Sequence, residues 1–230
     1  MKKLFEEDRE IGYEAYLTFP HTEDKGILKK LKALCSLGRM KFSHIGLYRA
    51  DFETQPMATV QGIENLNTVL ENLNYCVKNI TSVGYEVIRV KLEMGLVGAN
   101  NWVLPKESGV LQYYENHLKV RLKDPNFSFY SFYNKELLGQ GAYVSRNYLK
   151  GKAEDNPDYF VTTREYKVPS PLALDLGKRI KAVINKRKEL EIIEDESEFV
   201  VYDSNPEVDR KWTPEIPEIS GKPKSFGFGV

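Results

Sequence analysis

The segment Tyr114–Leu122 carries His117, Lys119 and Arg121 on alternate positions, with Leu118, Val120 and Leu122 between them. A period of two puts the two sets on opposite faces of a strand. The aliphatic set has to meet a core, so the cationic set faces away from it. Nearby segments add groups of the same kind: Ser145, Arg146 and Asn147 in one, Thr162 and Arg164 in another, Arg89 and Lys91 in a third. Guanidinium forks match phosphate or carboxylate oxygens two at a time, and hydroxyls and an amide can complete the contacts. The expected ligand is a phosphate-bearing small molecule or RNA. His117 and His44 are the acid/base candidates, because imidazole exchanges its proton near neutral pH. The competing reading is a solvated or ion-paired sheet face, with Glu115, Glu165 and Glu198 close enough in the pattern to neutralise charge.

The elements that position these residues occur twice. YEAYLTF at Tyr13–Phe19 realigns with YENHLKV at Tyr114–Val120, SLGRMKF at Ser36–Phe42 with LLGQGAY at Leu137–Tyr143, and Pro56 with Pro157, all at one offset of 101 residues. In the first copy the pattern predicts a strand over Tyr13–Phe19 and a helix on Ile27, Leu28, Leu31, Leu34 and Cys35, stopped at Gly38. Strands at Lys41–Arg49 and Met57–Gln61 follow, then a helix from Ile63 to Ile80 and a strand over Tyr85–Met94. The second copy reads as strand Tyr114–Leu122, helix Ser128–Leu138, and strands Ala142–Leu149 and Tyr159–Lys167. A helix capped by Ser170-Pro171 comes next, then a last strand at Glu191–Ile193 and Glu198–Tyr202 with a bulge between.

A βαββαβ order used twice predicts an α+β protein of two tandem ferredoxin-like lobes, each an antiparallel four-stranded sheet with two helices on one face. The boundaries are 1–94, a linker 95–112, 113–203, and a Pro/Gly-containing tail 204–230 anchored by Trp212. The cationic residues lie mainly in the second copy, where Tyr16, Thr18 and Pro20 stand at the matching places of the first. Any site is therefore weighted toward the second lobe.

Composition narrows the classes. Lysine plus arginine equals aspartate plus glutamate, 33 each, which argues against a dedicated nucleic-acid binder. No apolar run reaches membrane-spanning length, and MKKLFEEDRE lacks the apolar core of a signal peptide, so a cytoplasmic protein without a membrane partner is expected. The two cysteines, Cys35 and Cys76, lie in apolar helical stripes as buried thiols. The three histidines do not cluster, so neither a metal centre nor a cofactor is expected.

The C-terminal SGKPKSFGFGV resembles the glycine-rich G-x-K-x-S-x-G-F-G segment of CRISPR repeat-processing endoribonucleases, through Gly221, Lys224, Ser225, Gly227, Phe228 and Gly229. That family has tandem ferredoxin-like lobes, and the resemblance implies metal-independent RNA cleavage. Two-histidine phosphoesterases have duplicated lobes of the same kind, but His44-Ile-Gly46 and Ser145-Arg-Asn147 stand where that family has its His-x-Ser/Thr motifs. Glu115-Asn-His117-Leu-Lys119 is similar to the Glu-x-Glu-x-Lys strand of the triphosphate-tunnel fold, with histidine in place of the second glutamate. The function read from the sequence is thus ligand binding at a basic face of the second lobe. A metal-independent endoribonuclease or phosphodiesterase, and a structural or adaptor protein, stand as alternatives.

Overall fold

A computed structural model describes residues 12–48, 54–62, 66–95, 111–147, 158–166 and 174–213. The first half runs β1 (Tyr13–Thr18), α1 (Lys25–Leu37), β2 (Lys41–Leu47), β3 (Thr54–Gly62), α2 (Leu66–Ser82) and β4 (Arg89–Gly95). The second runs β5 (Tyr113–Leu122), α3 (Phe129–Phe132), β6 (Ala142–Asn147), β7 (Asp158–Tyr166), α4 (Asp175–Asn185) and β8 (Leu190–Asp203).

Local chemistry explains the helices. The Asp24 carboxylate caps α1 by accepting hydrogen bonds from the Gly26 and Ile27 amides at 2.7 and 3.0 Å, which satisfies donors that a helix start leaves unpaired. Helix α2 buries Val69, Leu73, Cys76, Val77 and Ile80 along one stripe. The helix expected over Ser128–Leu138 is broken into three pieces: α3, a wide π turn at Tyr133–Leu137 and a tight 3-10 turn at Leu138–Gln140. Gly141 closes the series with φ of 77°, a conformation that a side chain disfavours. The segments bearing Ser170-Pro171, Pro157 and the glycine-rich C-terminus fall outside the described residues.

The strands form one closed barrel in the order β1-β3-β2-β6-β7-β5-β8-β4, with β4 returning to β1, all antiparallel. This overturns the expectation of two ferredoxin-like lobes with separate four-stranded sheets. Strand β2 pairs with β6 from Ile45↔Asn147 to Leu47↔Ser145, and β4 pairs with β8 from Lys91↔Asp203 to Gly95↔Glu198. A free four-stranded sheet leaves edges of unpaired N–H and C=O groups, and closure removes every edge. Periodicity reports which face of a strand is apolar; it carries no information about which strand completes an edge.

The helices cover the outside. Ala15, Leu17, Val90, Leu92 and Met94 pack under α1 and α2 with Leu31, Cys35, Leu73 and Ile80. Leu118, Val120, Val144 and Val161 pack under α3 and α4 with Phe129, Phe132, Ile180 and Ile184. Each strand's other face therefore looks into the barrel. On α4 the approach is so close that a Cβ on Gly177 would lie 2.7 Å from Asn116 Oδ1. After β8 the chain turns back through a 3-10 helix at Pro206–Asp209, and Trp212 is buried against Leu47 and Tyr143.

Candidate functional site in the barrel interior

The interior carries charge from several strands. Asp209 accepts hydrogen bonds from Gln55 of β3 at 3.1 Å, Arg89 of β4 at 2.6 Å and Arg164 of β7 at 2.8 Å. Those strands are not neighbours, so one carboxylate ties the walls together across the lumen. Arg89 also grips Asp203 through Nε (2.9 Å) and Nη2 (2.5 Å), and Tyr113 donates its hydroxyl to Asp203 Oδ2 at 2.8 Å. Arg164 pairs with Glu115, donates to the Thr213 hydroxyl at 3.2 Å, and lies over the Tyr113 and Trp212 rings at 5.3 and 5.5 Å. Together with Trp212, whose Nε1 donates to the Val144 carbonyl at 3.0 Å, this network seats Asp209, Trp212 and Thr213 inside the barrel.

Next to it lies a second group. Lys91 contacts Glu93 and donates to Glu115 Oε2 at 2.8 Å, with its ammonium 5.0 Å from the centre of the Tyr16 ring. His117 Nδ1 is 2.9 Å from the Thr162 hydroxyl, and Nε2 is 3.2 Å from Glu115 Oε2 and 3.7 Å from Glu198 Oε2. The Glu115 side chain is fully buried, whereas that of His117 keeps a quarter of its surface exposed. Further along β5 the ion pairs become accessible: Lys119 with Glu194 at 2.5 Å and Arg121 with Asp158 at 3.1 Å.

Burial and neighbours set the proton affinities. Burial works against ionising Glu115, but Arg164 and Lys91 hold its carboxyl well below the usual range. Asp209 is likewise held low, Arg89 and Arg164 outweighing its desolvation. Burial opposes the Lys91 charge, yet Glu115 and Glu93 keep its pKa above the usual lysine value. Glu198 goes the other way: desolvation first, then the Glu93 charge, push its carboxyl up to about 10. Glu198 therefore holds a proton at neutral pH.

The structure divides the sequence-derived candidates by face. Arg89, Lys91, His117, Lys119, Arg121, Thr162 and Arg164 share the inner face, and Ser145 and Asn147 lie on that side of β6. Arg146 points outward over the Tyr159 ring, 6.0 Å from its centre, so it does not meet Arg164. His44 is on the helix side of β2, in step with Phe42 of the outer core, and burial lowers its pKa. His44 and His117 therefore face opposite sides of the barrel wall and do not form one two-histidine site. The buried cations that suggested a basic pocket each have a carboxylate partner. Glu93, Asp203 and Asp209 escaped the sequence reading. Glu93 had a signal in its alternation with Arg89 and Lys91; Asp209 had none, because it lies in a segment without periodicity.

No family model matches the chain, and no curated protein matches it. Among solved structures, the crystal structure of "Putative Chlorite dismutase TA0507" is similar at 11% identity over 83% of this chain and 95% of that chain, with a TM-score of 0.28. Among the described residues, no helix is long and apolar enough to cross a membrane.

Proposed function

We propose that the accessible part of the barrel interior, at His117, Lys119 and Arg121, binds a phosphate-bearing small molecule. One observation supports this reading over a purely structural one: the exposure of the ion pairs changes along β5. At Glu115 of β5 the pairs with Lys91 and Arg164 are buried, and parting them would leave an uncompensated charge at a cost of about 3–5 kcal/mol. At Lys119 and Arg121 the partner side chains, Glu194 and Asp158, are 48% and 23% exposed. Such pairs contribute roughly 0–1 kcal/mol, so a phosphate can take the carboxylate's place with little loss. The three side chains project from one face at two-residue steps of about 6.6–6.8 Å, which suits a ligand with more than one phosphate.

The test is calorimetric titration of the full chain with pyrophosphate and with ADP. Binding should be lost in Lys119→Ala/Arg121→Ala, with the thermal transition left within a few degrees of the parent. Equal binding by the parent and the double variant, or no binding by the parent, refutes the reading.

A further inference from the structure

We propose that Glu93, Glu115 and His117 form a divalent-cation site inside the barrel, with Glu198 in reach as a fourth donor. The ligand atoms of the first three residues all lie within 4.8 Å of one another. His117 Nε2 and Glu115 Oε2 are 3.2 Å apart. Two donors bound to one ion at about 2.0–2.2 Å and about 100° apart would be separated by nearly that distance. The ion takes the place of the hydrogen bond and needs little rearrangement there.

Three further observations point to a cation. The first is charge. The buried interior holds Arg89, Lys91 and Arg164 against Glu93, Glu115, Glu198, Asp203 and Asp209. Carboxyl groups outnumber the cationic side chains there by five to three, and excess charge away from water is costly. The second is Glu93. Its side chain is 1% exposed, and Oε2 accepts no hydrogen bond from the described donor groups. The third is the orientation of His117. Thr162 engages Nδ1 at 2.9 Å and leaves Nε2 aimed at the carboxylates, the arrangement by which metal-ligating histidines are held. Lys91 bridges Glu93 and Glu115, which shows that this pair attracts positive charge and leaves the His117 side to the ion. One imidazole with carboxylates and no thiolate suits a first-row ion such as Mn²⁺ or Zn²⁺. The sequence reading expected no metal because the three histidines do not cluster, whereas the donors here come from β4 and β5 and include a single histidine.

The test uses no phosphate, so it stands or falls separately from the ligand proposed above. The full chain, stripped with EDTA, is titrated with MnCl₂ while free Mn²⁺ is read by electron paramagnetic resonance, and with ZnCl₂ in competition. One ion per chain is expected. Affinity should fall by at least about tenfold in Glu93→Gln and His117→Ala, and stay unchanged in Lys178→Ala on the outside of α4. His117 is part-exposed, so His117→Ala carries the test if Glu93→Gln fails to fold. Absence of Mn²⁺ and Zn²⁺ binding by the parent overturns the proposal, as does parent-like affinity in His117→Ala.

Discussion

Asp209→Asn is the most informative single change, because it removes one charge and almost no volume from the point where the barrel walls meet. The parent carboxylate accepts hydrogen bonds from Arg89 at 2.6 Å, Arg164 at 2.8 Å and Gln55 at 3.1 Å, all buried. Each arginine keeps another carboxylate, Asp203 or Glu115, so neither is stranded. Two charge-assisted bonds lose their charge, at roughly 1.5–3 kcal/mol each. The expected loss is about 3–6 kcal/mol, the sum over the two bonds. With a urea slope of about 3 kcal/mol/M, the unfolding midpoint should drop by about 1–2 M. Emission is read in a Trp102→Phe background, so that it reports Trp212, which is 8% exposed and lies in the same network; native emission should shift to the red. The acid limb follows with a definite sign. The folded pKa of Asp209 lies below its ordinary 3.8, so its contribution is present above that value and lost as pH falls through the folded pKa. The variant should show a shallower acid limb. A midpoint within about 0.3 M of the parent, with unchanged Trp212 emission, would mean that Asp209 does not hold the inserted segment.

Other consequences can be checked separately. Gly177→Ala places a Cβ 2.7 Å from Asn116 Oδ1 and should cost about 1–3 kcal/mol; urea midpoints equal to the parent's would show that α4 shifts freely. Glu198 has a folded pKa of about 10 against an ordinary 4.5, so the folded state holds a proton that the unfolded chain releases. Parent stability in EDTA should fall as pH rises from about 5 to about 9, and Glu198→Gln should flatten that slope; parallel curves for the two proteins would refute the assignment. Cys35 is fully buried, and burial pushes its thiol up to about 12. It should stay unlabelled by a disulfide reagent at pH 8 until denaturant is added, and fast labelling of native protein would contradict the packing of α1.

The site was legible as a set of inward residues but not as a charge balance. His117, Lys119 and Arg121 are set on one face by alternation alone, and so are Arg89 and Lys91. What the pattern hides is the partner opposite each cation. Arg164 meets Glu115 along the neighbouring strand and Asp209 from 45 positions away. Asp209 has no periodic neighbours to mark it. Arg146 shows the opposite failure: it was grouped with Arg164 because both are arginines on adjacent strands, whereas its register puts it with Val144 on the outer face. The Ser128–Leu138 segment was read as one helix from its apolar content, and tertiary packing instead settles it into three turns of different pitch.

By itself the sequence determined the succession of strands and helices, the apolar stripe of each helix, and the two faces of each strand. Those properties depend on residues two to four positions apart, whose spacing is set by covalent geometry. The tertiary structure alone decided that the strand edges close into one barrel and that Asp209, Trp212 and Thr213 enter it. It also decided that five carboxyl groups meet three buried cations in the lumen. Each of these depends on hydrogen bonds and ion pairs between distant parts of the chain. Their energies arise only when burial brings the partners together away from water, and local spacing does not encode that.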